Sequence, residues 1–238
     1  MEGENAHPVR LRTAFTLTRS SPFAYQCHAC SRCCRGKIIP LNPYEVARLA
    51  QTLGTTTTEV LARFTGTAGS TLAIREEDQS CVFLGEHGCT VHGGRPLACR
   101  LYPLGRQVAP DGEERFAEVE PHPQSAGVYG GPGTVDDYLR SQDVEPFHRA
   151  AARYATVFRR MLAVLACRKD LGEVRDESNE AMARPPLPED DALLDVDAVV
   201  ARHCAERGMA VPSDLEDRVA LHVEALGSLL DQMEEEAR

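Results

Sequence analysis

The sequence predicts a mainly α fold with short β-hairpins, in which a small irregular cysteine-rich domain is followed by helices. Three observations predict it. Seven of the nine cysteines fall between Cys27 and Cys99. The same stretch is cut by Gly- and Pro-containing turns into short apolar segments. From Thr134 onward apolar residues recur at helical spacing. The chain has 238 residues, 42% hydrophobic but only 5% aromatic and without Trp, so Leu, Val and Ala must supply most of the core.

The elements follow in order. Val9 to Leu17 alternates apolar and polar side chains, as a half-buried strand would. The cysteine loop from Cys27 to Cys34 comes next, then a short strand at Lys37-Ile38-Ile39. Asn42-Pro43 reads as N-cap and first residue of a helix through Leu53, closed by Gly54. A second short helix is expected over Thr58–Phe64 and a strand over Thr71–Ile74. Residues 81–84 and 89–91 flank Gly85-Glu86-His87-Gly88, a hairpin signal. Arg95–Tyr102 reads as one or two helical turns. Leu104–Val108 and Arg115–Val119 flank Pro110-Asp111-Gly112, a second hairpin. Pro121–Gly133 is irregular. Thr134 caps a short helix to Ser141, with Asp136-Asp137 favoured there by the helix dipole. Pro146 opens a long helix to about Lys169, with Tyr154, Phe158, Met161, Leu162 and Leu165 as its stripe. Leu193, Val196 and Val200 mark a helix ending at Gly208, and Ser213-Asp214-Leu215-Glu216 reads as a capping box opening the last one. The resulting division is a cysteine domain over 1–120, a helical extension over 121–171, a charged Pro-rich linker over 172–190 and an acidic helical pair over 191–238.

The net charge of −10 is uneven. Residues 1–171 carry 20 Lys/Arg against 18 Asp/Glu, and residues 172–238 carry 6 against 18. No basic excess points to nucleic acid, and the acidic tail opposes it. No apolar run reaches the roughly 18 residues that span a bilayer, and Met1-Glu2-Gly3-Glu4 lacks a secretory pattern. The expected setting is cytoplasmic, with no membrane and no nucleic-acid partner; a protein partner is left open. In a reducing compartment, clustered cysteines are metal ligands or reactive thiols rather than disulfides.

The first cluster is Cys27-x2-Cys30-x2-Cys33-Cys34. Two intervening residues let the chain turn so that sulfurs face one centre, as the roughly 2.3 Å bonds of tetrahedral zinc require. The same spacing opens ferredoxin-type cluster loops. Neighbouring side chains usually diverge, so Cys33 and Cys34 are read as serving different centres. The second group is Cys81, Cys89 and Cys99. The alternative, seven buried thiols, fits badly with so polar and turn-rich a first loop. Seven thiols are three more than one tetrahedral ion needs. The reading is therefore zinc, or an iron–sulfur cluster of the [4Fe–4S] type, with a second site if all seven ligate. His92 is a possible further ligand. Arg95 and Arg100, with Arg32 and Arg35, are placed to offset thiolate charge or to cap turns. His28 is read as facing solvent. Cys167 and Cys204 lie on apolar helix faces and are read as core. His7, His122, His148, His203 and His222 have no supporting constellation.

These residues resemble the YkgJ-type cysteine-cluster family, a zinc- or iron-chelating CxxCxxCC domain. The resemblance rests on Cys27-x2-Cys30-x2-Cys33-Cys34, Cys81-x-Phe83-Leu84, Gly88-Cys89-x-Val91 and Arg95-Pro96-x2-Cys99-Arg100-x-Tyr102-Pro103, over about residues 23–105. Arg32 stands where many members have Gly, and His92 where many have Tyr. More distantly the pattern is similar to the flagellin lysine N-methylases, for which a cluster and S-adenosylmethionine are implied. The radical-type C-x3-C-x2-C loop is absent here. Three functions follow as expectations: a metal-binding module in metal handling, electron transfer or structure; a cluster-dependent protein-modifying enzyme; and a zinc-stabilised adaptor. The first asks least of the residues. No phosphate loop, Gly-x-Ser-x-Gly elbow or His-Glu-x-x-His helix occurs.

Overall fold

The computed structural model describes residues 11–66, 69–109, 111–175 and 193–236. Among these the protein is mainly helical, with antiparallel strand pairs of two to five residues. The described chain divides into two compact units that do not follow chain order. The first takes the chain up to Leu41, a short stretch from Phe64, and Thr71–His148. The second takes Asn42–Arg63 and the chain from Arg149 onward.

In the first unit, β1 (Tyr25–Gln26) precedes the cysteine loop. The turn Glu86-His87 joins β2 (Leu84–Gly85) to β3 (Gly88–Cys89), with Leu84 opposite Cys89. The helix α3 (Leu97–Leu101) leads into β4 (Leu104–Val108), which pairs along its length with β5 (Glu114–Glu118). Then β6 (Val128–Tyr129) returns to β1, placing Tyr25 opposite Tyr129. The helix α4 (Val135–Ser141) is opened by Thr134, which shares a capping box with Asp137. The core of this unit is Phe23, Leu101, Leu104, Phe116, Val135, Tyr138, Leu139 and Val144.

The second unit holds α1 (Pro43–Leu53), which begins and ends as its sequence dictates. Asn42 accepts from the Glu45 backbone N–H at 3.1 Å, and the Glu45 carboxylate accepts from the Asn42 N–H at 2.8 Å. Pro43 supplies the first helical φ, and Gly54 closes the helix at φ 67°. Asn42→Ala is expected to cost about 1 kcal/mol, measured by urea unfolding, because it strips one of the orphan N–H groups of its acceptor. After α2 (Thr57–Phe64) the chain re-enters this unit within α5 (Glu145–Arg175) and continues through α6 (Val196–Arg207) and α7 (Leu215–Glu236). α1 packs against α6 and α7, which pack against each other. Asp195, the N-cap of α6, is buried. It accepts from the hydroxyls of Thr57 and Thr58 at 2.6 Å each and from the Ala198 N–H at 3.1 Å, so it ties the start of α2 to the start of α6.

Several expectations are corrected. Val9–Leu17 is not a continuous strand over its described part. Leu11 bridges Val119 and Leu17 bridges Phe116, while a turn over residues 15–16, with Thr16 N–H donating to the Ala14 carbonyl, breaks the ladder between them; Val9 lies outside the described residues. Lys37–Ile39 forms no strand, with only the following Pro40 bridging Thr71, and Thr71–Ile74 makes isolated bridges to Pro40, Thr65 and Cys81 rather than a strand. Pro40 has no N–H to extend a ladder, and Ile38 is 84% exposed. The α5 stripe turns on Ala150, Tyr154, Val157 and Val164. Leu162 is 63% exposed, because eight residues past Tyr154 carry it round to the flank away from Val157. The cap of α7 is Asp214, not Ser213: its carboxylate accepts from the Glu216 and Asp217 N–H groups at 2.8 and 3.1 Å. Leu165 and residues 176–190 of the expected linker lie outside the described side chains and residues.

Candidate metal centre

The cysteine loop is shaped by left-handed backbone at Ala29 (φ 51°) and Ser31 (φ 61°), on either side of Cys30. A 3₁₀ turn over Arg32–Cys34 follows, closed by the Cys34 N–H on the Ser31 carbonyl at 3.1 Å. Its far end is fastened: Arg35 bridges Ser80, Gly36 N–H donates to the Gln79 carbonyl at 2.9 Å, and Cys81 N–H donates to the Cys34 carbonyl at 2.8 Å. That last bond brings the second cysteine group to the first. From Gln26 to Pro40 no residue is buried.

The tight turn also overturns one expectation. The sulfurs of Cys33 and Cys34 do not diverge; they stand 3.9 Å apart. Two sulfurs on one tetrahedral zinc, at bonds of roughly 2.3 Å, stand about 3.8 Å apart. Cys34 lies within electrostatic reach of Cys99 and Cys81, Cys81 of Cys89 and Cys33, and Cys30 of Cys33. Cys27 is exposed at the loop's outer edge, and its sulfur accepts from the Ala29 N–H at 3.4 Å. Among the described residues, no three His, Cys, Asp or Glu side chains converge closely enough to hold a metal ion. The structure thus brings one pair to ligand spacing and leaves the other five sulfurs around it.

Four of the thiols are shifted by their surroundings. The Cys33 sulfur accepts from the Cys34 thiol, which pulls Cys33 down to about 7 and pushes Cys34 upward. Lys37 and Arg95 favour the Cys33 thiolate further. Burial pushes Cys30 up, but hydrogen bonds from the backbone of Arg32 and Ala126 and from Ser125 leave it below the ordinary thiol value. Burial raises Cys81, and the neighbouring Cys89 adds to the rise. His92 is exposed; burial of its ring and then Arg95 and Arg100 hold it below the usual imidazole value.

The two arginines of the second cysteine group grip carbonyls. Arg95 donates to the His92 carbonyl at 3.0 Å and to Gln142 Oε1 at 2.6 Å. Buried Arg100 donates to the carbonyls of Arg95, Gln142 and Gly93 and lies 4.4 Å from the centre of the Phe147 ring. They fix the turn that carries Cys99. Arg35 pairs with Asp78 at 2.7 Å. His28 is exposed, as expected. Cys204 is buried, 1% exposed; the Cys167 side chain lies outside the described residues.

Sequence reasoning missed two neighbours of the sulfurs. Tyr25 lies within electrostatic reach of Cys27, Cys33 and Cys30 and is hydrogen-bonded to Ser125, whose hydroxyl is 3.9 Å from the Cys30 sulfur. Gly127 is obligatory there, since a Cβ would fall 1.8 Å from the Tyr25 hydroxyl. Tyr102 stands edge-on to Tyr25 with ring centres 6.2 Å apart, and Cys33 and Cys30 are within electrostatic reach of it.

Residues 26–122 match the model of the CxxCxxCC family, described as "Putative zinc- or iron-chelating domain". Over these residues the chain is similar to that family. Its match covers all seven of the cysteines above, and the motif of its name is Cys27-x2-Cys30-x2-Cys33-Cys34. In comparisons with curated proteins and with solved structures, nothing matches the chain. Thiolates suit zinc and iron–sulfur iron alike, and the 3.9 Å pair has the spacing of two ligands on one ion, so the donor set of the matched segment fits such a group. No helix among the described residues is long and apolar enough to cross a membrane.

Proposed function

We propose that the CxxCxxCC domain of this protein binds zinc or iron through the thiolates of Cys27, Cys30, Cys33, Cys34, Cys81, Cys89 and Cys99. The observation that carries the reading is the loop from Gln26 to Pro40. It buries no residue, yet it is bent through two left-handed residues so that two sulfurs meet at 3.9 Å. Side-chain burial does not hold such a loop; ligation would. Cys33 and Cys34 supply the first edge of the site, Cys81 and Cys99 lie within electrostatic reach of Cys34, and Cys30 within that of Cys33. Seven thiolates exceed one tetrahedral shell, so either a second ion or a [4Fe–4S] cluster beside a second site accounts for all of them. When bound, zinc or iron supplies a rigid crosslink and, for iron, a one-electron couple. Arg95 and Arg100 hold the turn that presents Cys99, and Ser125 donates towards Cys30.

Anaerobic purification with zinc, iron and sulfide analysis tests this reading. Stoichiometric metal is expected in the wild type and in Cys204→Ser, and a loss of at least half of it in Cys30→Ser. Equal metal in both variants, or none in the wild type, overturns the assignment. Iron with equimolar sulfide and broad visible absorption selects the cluster; colourless protein with zinc selects the closed zinc site.

A further inference from the structure

We infer that Cys33 and Cys34 are a peroxide-oxidation site, at which a vicinal disulfide forms reversibly and unfastens the metal-binding loop. The inference rests on geometry. The two sulfurs already stand 3.9 Å apart, so forming a bond of about 2.05 Å does not require moving one chain segment against another. Both residues are half-buried, which leaves the sulfurs within reach of a small oxidant.

The chemistry balances with hydrogen peroxide as the named oxidant. The Cys33 thiolate attacks one peroxide oxygen, the O–O bond breaks and hydroxide leaves, giving a sulfenic acid. The Cys34 sulfur attacks the Cys33 sulfur, the S–O bond breaks, and the departing hydroxide takes the Cys34 proton as water. Two thiols lose two electrons and peroxide is reduced to two waters. Adjacent Cα atoms are about 3.8 Å apart, closer than the 4.4 Å or more of ordinary disulfides. The product is therefore strained and readily reduced by a dithiol.

The second half of the inference, loss of metal, rests on the proposed chelation. The disulfide removes two ligands at once, and Cys34 is the residue whose carbonyl fastens the loop to Cys81.

Trypsin makes the test direct, because cleavage after Arg32 and Arg35 isolates Cys33-Cys34-Arg35 with no third cysteine. Metal-free protein is treated with one equivalent of hydrogen peroxide, alkylated, digested and weighed. That peptide is expected to appear unalkylated and two hydrogens lighter, and dithiothreitol is expected to restore two alkylatable sulfurs. In Cys34→Ser, dimedone is expected to trap the sulfenic acid on Cys33. Wild-type peptide still alkylated on both sulfurs, when other cysteines have already been oxidised, overturns the inference whether or not the variant folds. Metal-loaded protein is then titrated with peroxide beside a chromophoric chelator. One metal equivalent is expected per disulfide; metal retained on the oxidised protein overturns the coupling alone. If the isolated protein holds no metal, the chelation reading fails while the peptide result stands on its own.

Discussion

Stripping metal from the loaded protein with a strong chelator is expected to lower its thermal midpoint by about 10 °C or more. Structural zinc sites contribute roughly 10–16 kcal/mol of apparent binding energy at neutral pH. Losing even a third of that moves the midpoint of a chain this size by about 10 °C. The effect follows from how little else holds the cysteine loop. No residue from Gln26 to Pro40 is buried, and Ile38, its most apolar side chain, is 84% exposed. The hydrogen bonds at Cys34, Gly36 and Cys81 fasten only the C-terminal side. Deuterium exchange should localise the loss to residues 26–40 and 81–101, while α1, α6 and α7 keep their protection. An unchanged midpoint after verified metal removal would sink the idea that metal holds this loop.

Acidification is expected to produce the second large loss, through two histidines that share no constellation with the cysteines. His148 is 5% exposed and His222 fully buried, and burial holds each ring down to about 4. Around His148, Arg106 and Arg19 push further down while Glu114 pulls up; at His222, Asp195 pulls up. A ring neutral in the fold and near 6.5 when unfolded lets the unfolded chain bind more protons in between. The resulting stability is complete above about pH 6.5 and is lost as pH falls towards 4, by roughly 3 kcal/mol per ring. His222 Nδ1 is 2.9 Å from the Tyr154 hydroxyl, and its Nε2 has no partner among the described residues. Among the described residues both ring nitrogens of His148 are without partners. Urea unfolding at pH 7 and pH 4.5, with chelator present to exclude thiolate protonation, reads the effect. His222→Phe should flatten the pH dependence; an equally steep profile in that variant would assign the acid sensitivity elsewhere.

What could be read in the sequence was whatever local chemistry decides. Asn42, Pro43, Glu45 and Gly54 define α1 within a dozen residues, and Thr134 with Asp137 starts α4 just as locally. Asp111 and Gly112 of the expected turn lead into β5 in the same way, Gly112 at φ 88° and Asp111 accepting from the Glu113 N–H; Pro110 lies outside the described residues. The CxxCxxCC spacing likewise marks the cysteine region. Pairings across long separations were not readable. Tyr25 meets Tyr129 through two-residue strands too short for any periodicity to register, so Tyr25 and Ser125 went unseen beside the sulfurs. The Cys33–Cys34 approach depends on left-handed φ at Ala29 and Ser31, residues that rarely advertise it. The buried carboxylate of Asp195 and the ring of His222 are likewise set by tertiary packing, which composition does not reveal.

The two-unit division has a bearing on how this protein can be dissected. The family match runs unbroken from residue 26 to 122, but Asn42–Arg63 inside it clusters with the helices after Arg149. A chain trimmed to the matched segment would keep all seven clustered cysteines and lose α6 and α7, against which α1 packs. Tyr44, Val46 and Leu49, now fully buried, would face water. The boundaries of the recognisable motif are therefore not the boundaries of a fragment that can be expressed alone, and the cysteine segment is best handled together with the helices after Arg149.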